Sequence, residues 1–134
     1  MTPEQAVRER LLLTPAVAAR VVGRIYPKRL PQQTSYPALT YERISSRTSL
    51  THDGPTGDER PRVQIDVWAQ THSEVVDLAE AVKAALHGKR WTASDGKVVE
   101  LVELDTDRED PVPDPVLHRW ITDFFVHVKA PIGG

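Results

Sequence analysis

Residues Val63–Val82 read VQIDVWAQTHSEVVDLAEAV, and the hydrophobic period changes within them. Val63, Ile65 and Val67 alternate with Gln64, Asp66 and Trp68, the two-residue period of a strand with one buried face, which predicts a strand over Arg62 to Ala69. Thr71-His72-Ser73-Glu74 then fits a capping box, with the Thr71 hydroxyl accepting from the Glu74 backbone and the Glu74 carboxylate reaching back. Val75, Leu78, Ala79, Val82 and Leu86 follow at helical spacing, and Gly88 supplies the stop. A strand hands over directly to a helix.

Asp66 and His72 flank this joint. The alternation places Asp66 on the polar side of its strand, and His72 falls in the first helical turn, where the partial positive charge works against a protonated imidazole. No nucleophile or third orienting group stands at a suitable spacing, so the two read as structural or solvent-facing residues rather than a catalytic pair.

Toward the amino terminus, Thr2-Pro3-Glu4-Gln5 predicts a helix start, with Thr2 as N-cap, Pro3 at the first helical position and Gln5 closing a capping box. Thr14-Pro15 repeats the signal, and Ala16, Val17, Ala18, Val21 and Val22 predict a second short helix stopped by Gly23. Pro27 and Pro31 exclude a long helix from Arg24 to Tyr36, leaving a connector with at most a short extended piece. PALTYERI, Pro37 to Ile44, has the composition of a strand. Ser45 to Pro61 is polar and far longer than a usual hairpin connection of about 2–5 residues, so it reads as a long loop at 45–61.

Toward the carboxyl terminus, a turn at Ser94-Asp95-Gly96 leads into a third strand, Lys97 to Leu104. Asp105 to Pro115 reads as an acidic, proline-punctuated connector, Val116 to Val128 as the fourth and longest strand, and residues 130–134 as a loose tail. The predicted order is α-α-β-β-α-β-β.

The chain has 134 residues, 40% hydrophobic and 27% charged, which fits one globular domain over residues 1–134. No apolar run approaches the roughly 20 residues of a membrane span, and MTPEQ lacks the basic then apolar pattern of a secretory signal. The expectation is synthesis in the cytoplasm with no membrane partner. The absence of Cys excludes disulfides, thiolate metal sites and a cysteine nucleophile together. The net charge of -2 divides unevenly: residues 1–62 carry ten Lys or Arg against six Asp or Glu, and residues 63–134 carry seven against thirteen. Complementary halves of +4 and -6 could dock copies of the chain head to tail, unless sequence halves fail to be surface halves.

Chemistry-bearing motifs are sparse. His52-Asp53 lies in the long loop just before Gly54 and Gly57, which allow unusual backbone angles, although HDGP is also an ordinary turn composition. His118 and His127 alternate onto opposite faces of the last strand, and no HExxH occurs. Asp105, Asp107, Glu109 and Asp110 could collect a hard cation, but an EF-hand would need Gly where Asp110 stands. No Gly-rich phosphate motif is present. Arg8, Arg10, Arg20, Arg24, Lys28 and Arg29 make a basic front, with limited aromatic interleaving at Tyr26. The sequence thus predicts no catalytic residue, no cofactor and no metal site.

Three apolar residues fall on otherwise polar faces: Trp68 opposite the Val63, Ile65, Val67 row, and Ile121 and Phe125 opposite the Trp120, Phe124, Val126, Val128 row. Either a partner or a second layer, built by the amino-terminal helices, would cover them.

PAVAARVVGRIYP (Pro15–Pro27), YPALTYERIS (Tyr36–Ser45), RVQIDVWAQTHSEVVDLAEAVKAAL (Arg62–Leu86) and HRWITDFFVHV (His118–Val128) together resemble the tail terminator, or tail-completion, proteins of long-tailed bacteriophages and gene transfer agents. The resemblance rests on order and pattern across most of the chain, with RVQIDVWA running into its helix as the most specific part. It implies an α+β subunit, an antiparallel sheet of about four strands with helices packed on it, assembled as a hexameric ring. Such a ring sits in the virion or particle at the neck between tail and head, ends polymerisation of the tail tube, and meets the tail tube protein and the head-side connector or stopper, with DNA passing through as cargo. The implied protein is not an enzyme. Candidate contact residues are Arg24 and Arg29 on the basic front, Arg47, His52 and Asp53 in the long loop, and Trp68, Ile121 and Phe125 on the sheet. The competing readings are a small cation-dependent hydrolase using His52, Asp53 and the acidic connector, and a nucleic-acid-binding accessory protein using the basic front.

Overall fold

The computed structural model describes residues 1–45, 48–51, 54–113 and 116–129. Helix α1 spans Pro3–Leu12, and its start is the predicted capping box: the Thr2 hydroxyl accepts from the Gln5 backbone at 3.2 Å, and the Gln5 side chain accepts from the Thr2 backbone at 2.8 Å. Helix α2, Pro15–Val21, ends where Val22 and Gly23 both take positive φ, 48° and 79°. Glycine reaches that region without steric cost, whereas Val22 is held there by the fold.

Strands β1 (Ile25–Pro27), β2 (Ala38–Ser45), β3 (Thr48–Thr51), β4 (Gly54–Glu59) and β5 (Arg62–Ala69) precede helix α3, His72–Leu86, and strands β6 (Trp91–Thr92), β7 (Val98–Asp110) and β8 (His118–Lys129) complete the chain. At the joint from β5 to α3 the Thr71 hydroxyl accepts from the Glu74 backbone at 3.1 Å. The described strands form one sheet in which β5 lies between β2 and β8, β1 flanks β2, β7 takes the other side of β8, and β6 lies on β7. Their pairings are antiparallel except that of β1, which runs parallel to β2.

The fold is α+β with helices on a sheet, but the sheet has eight described strands where about four are expected, and it is mixed rather than wholly antiparallel. The additions have local causes. The segment expected as a loop at 45–61 contains β3 and β4, paired so that Thr51 faces Gly54, and Glu59 of β4 pairs with Val128, which makes the segment a hairpin prolonging β2 and β5. The acidic stretch expected as a connector is strand as far as Asp110, because the long β8 offers it hydrogen-bonding partners from Lys129 back to Arg119. The three residues of β1 are the short extended piece allowed within the connector from Arg24 to Tyr36. The expected tail, residues 130–134, lies outside the described residues.

One apolar core joins the helices to one sheet face. Val75, Leu78, Ala79, Val82 and Leu86 of α3 share a cluster with Val63, Ile65 and Val67 of β5, with Phe124 and Val126 of β8, and with Ala6, Val7, Leu11, Val17 and Val21 of the first two helices. Each large side chain buried there contributes roughly 1.5–3 kcal/mol. All three helices therefore serve the same face, and none supplies a second layer on the other.

Candidate interface on the helix-free sheet face

The residues of β5 and β8 that alternate with the core row form the opposite face: Arg62, Gln64, Asp66 and Trp68 are paired across the ladder with Phe125, Asp123, Ile121 and Arg119. Ile121 is 5% exposed yet stands apart from the core cluster. Long arginine side chains do the covering. The Arg119 guanidinium lies 5.0 Å from the centre of the Trp68 ring, and those of Arg60 and Arg62 lie 5.4 Å from the centre of the Phe125 ring. Trp68 also donates its indole N–H to the Thr40 hydroxyl at 3.0 Å.

This face is ordered by charge as well. Arg119 donates from Nε and Nη2 to Asp66 Oδ2 at 3.0 and 2.6 Å and from Nη1 to Asp110 at 3.0 Å. Burial pushes the Asp66 carboxyl above its ordinary range, against the opposing hydrogen bond and charge of Arg119 and the hydrogen bond from Gln64. Asp66 is thus a buried strut rather than a solvent-facing residue, and its partners are Arg119 and Gln64, whereas His72 faces Glu109. Arg62 meets Asp105 at 2.7 Å and Asp123 at 3.5 Å. That contact joins the last residue of the basic half of the sequence to the acidic half inside a single subunit.

The acidic residues of β7 do not converge on one point. Asp105 goes to Arg62 and Asp110 to Arg119, whereas Asp107 accepts from Lys83 Nζ and from the Trp120 indole, both at 2.9 Å, on the helix side. A hard-cation cage over these carboxylates is absent from the described arrangement. Glu109 instead faces His72 and His118. A groove of about 720 Å³ beside α1 and β1 is lined by Arg8, Glu9, Tyr26 and Tyr41 among others, with no serine, threonine or histidine in its lining.

The other candidate contact residues have separate positions. Arg24 is spent internally, donating to the carbonyls of Pro37 at 2.9 Å and Arg20 at 3.3 Å. Arg8 and Arg10 likewise donate from Nε to the Ile25 and Ala85 carbonyls, whereas Arg20 and Lys28 of the basic front are exposed. Arg29 is exposed. Arg47, His52 and Asp53 lie outside the described residues. Sequence reasoning missed Arg119 and Asp66 as partners, since nothing in either local pattern records which strand lies alongside.

The family model for tail completion protein gp17 matches residues 5–129. The chain belongs to this family. As a tail-completion protein it is a structural component of a phage-type tail and of the particle that carries the tail. Its fold is similar to that of a chain in the virion of a native gene transfer agent particle, with a TM-score of 0.78 and 18% identity over 95% of this chain and 94% of that one. No curated protein sequence matches the tail-completion protein.

Proposed function

We propose that this tail-completion protein forms a ring, six-fold in the simplest case, at the head-proximal end of the tail, where it ends polymerisation of the tail tube and joins the tail to the head-side connector. It acts by assembly, without catalysis. The observation that carries this reading is the family match over nearly the whole chain, residues 5–129. The occurrence of the same fold in a gene transfer agent virion supports it.

A closed ring of identical subunits needs a heterologous interface, in which two different patches of one surface meet. The helix-free face offers one such patch, because Trp68 and Phe125 remain half-buried beneath arginine side chains that can exchange partners when a neighbour arrives. Exposed Arg29, and Arg47, His52 and Asp53 by their place in the sequence, are the proposed contacts outside that face. The hydrolase and nucleic-acid readings have less support: Asp105, Asp107 and Asp110 of β7 are paired with three separate cations, and the arginines of α1 bind backbone carbonyls.

Electron microscopy of particles from a deletion strain tests the proposal. Tails that are overlong or unjoined, beside heads that fill normally, are the expected result. Normal tails attached to full heads would overturn it.

A further inference from the structure

We infer that His72, Glu109 and His118 form a binding site for a divalent transition-metal ion of the zinc type. The three residues come from three elements: His72 opens α3, Glu109 stands one residue before the end of β7, and His118 opens β8. Chain separation hides them from any motif, and the fold brings them together at the end of the sheet where β5 passes into α3.

The distances suit ligation as well as long hydrogen bonds. Nδ1 of His72 lies 3.5 Å from Glu109 Oε1, and Nδ1 of His118 lies 3.4 Å from the same oxygen. Good N–H···O hydrogen bonds measure about 2.7–3.2 Å. Zinc binds nitrogen and oxygen at about 2.0–2.1 Å, and two ligands of a tetrahedral ion at that radius stand roughly 3.4 Å apart. One donor atom from each residue lies within 4.8 Å of the other two, and the His72 ring is exposed.

Two imidazoles and one carboxylate suit zinc and its neighbours, whereas calcium and magnesium take oxygen ligands throughout. The partial positive charge at the start of α3 opposes a cation, and the Glu109 carboxylate offsets it. The fourth position stays open to water or to a donor from a neighbouring molecule. A metal held there would tie the start of α3 to the ends of β7 and β8. The site does not depend on the proposed role in the tail.

The test uses the full chain, made without a polyhistidine tag and stripped with a chelator, then titrated with zinc chloride by calorimetry and with cobalt(II) in the visible range. One ion per chain should bind, with the absorption bands of tetrahedral cobalt, and the side-chain NMR signals of His72 and His118 should shift. His72→Ala, His118→Ala and Glu109→Gln should each weaken binding by about tenfold or more while circular dichroism stays native. His127→Ala, which breaks a separate 2.7 Å contact with Glu103, should leave binding unchanged. Failure of the wild-type chain to bind either ion would overturn the inference, as would binding indifferent to the three substitutions.

Discussion

Arg119 holds a single oxygen of Asp66 with two of its nitrogens, Nε at 3.0 Å and Nη2 at 2.6 Å, while Gln64 donates to the other oxygen at 2.9 Å. Asp66 is 6% exposed, so its charge depends on these donors in place of water. The same guanidinium reaches Asp110 and lies over Trp68, which ties β5, β7 and β8 together through one side chain.

Arg119→Ala should therefore cost about 3 kcal/mol at neutral pH, because it strands a buried carboxylate. The pH dependence has a definite sign. A carboxyl whose folded pKa is raised favours the folded state most below its ordinary value of 3.8, and that advantage fades as pH rises through the folded pKa. Without Arg119 the raise becomes larger, so the penalty should shrink as pH falls from 7 toward 4. Urea denaturation of both proteins at the two pH values measures this, and a penalty constant with pH would argue for lost packing alone.

The Lys83 and Asp107 pair should stabilise a middle range of pH. Burial raises the Asp107 carboxyl, but hydrogen bonds from Lys83 and Trp120 and the Lys83 charge outweigh it and hold the group below 3.8. Burial lowers the Lys83 amine, and its contacts with Glu80 and Asp107 outweigh that and hold it above 10.5. The Asp107 contribution is present above 3.8 and lost as pH falls through its folded pKa; the Lys83 contribution is present below 10.5 and lost as pH rises through its own. Asp107→Asn should cost about 1 kcal/mol at pH 7 and flatten the acid limb of the stability profile. An acid limb unchanged from wild type would show that other carboxylates set it.

Thr71→Ala removes the oxygen that accepts from the Glu74 backbone at the start of α3. The expected loss is about 1 kcal/mol, read as a lower denaturation midpoint with an unchanged slope. Thr14→Ala should cost α2 less as a cap, since Thr14 makes no side-chain cap hydrogen bond there and its hydroxyl instead donates to the Arg10 carbonyl.

The elements that the sequence discloses are those whose own residues carry the signal. Val63, Ile65 and Val67 alternate into the core, Thr71 begins the helix where the period changes, and Thr2 with Gln5 closes a box that needs no distant partner. Asp105 to Asp110 lack an apolar period of their own, and they become strand because β8 presents a free ladder beside them. The hairpin of β3 and β4 is polar for the same reason: its pairing prolongs strands begun elsewhere. The candidate face is legible at Trp68, Ile121 and Phe125, where apolar residues interrupt a polar row. Their arginine covers are not legible, since Arg60, Arg62 and Arg119 look like ordinary surface charges until the register across β5 and β8 is known.

Charge reversal can probe the proposed ring, provided the substituted arginine has no structural work to do inside the subunit. Arg24 fails that condition, because its guanidinium donates to the Pro37 and Arg20 carbonyls and a change there would disturb the subunit itself. Arg29 meets it: the residue is exposed and forms no ion pair among the described residues. If charge helps to close the ring, Arg29→Glu should weaken assembly while leaving the melting temperature of the free subunit unchanged. Added salt should weaken the wild-type assembly in the same direction, since exposed charges are screened over about 10 Å at 0.1 M. Sedimentation velocity across a salt series, run on both proteins, separates the cases. Assembly by both at equal strength and equal salt dependence would place the subunit contact away from Arg29 and leave the helix-free face around Trp68 and Phe125 as the surface to alter next.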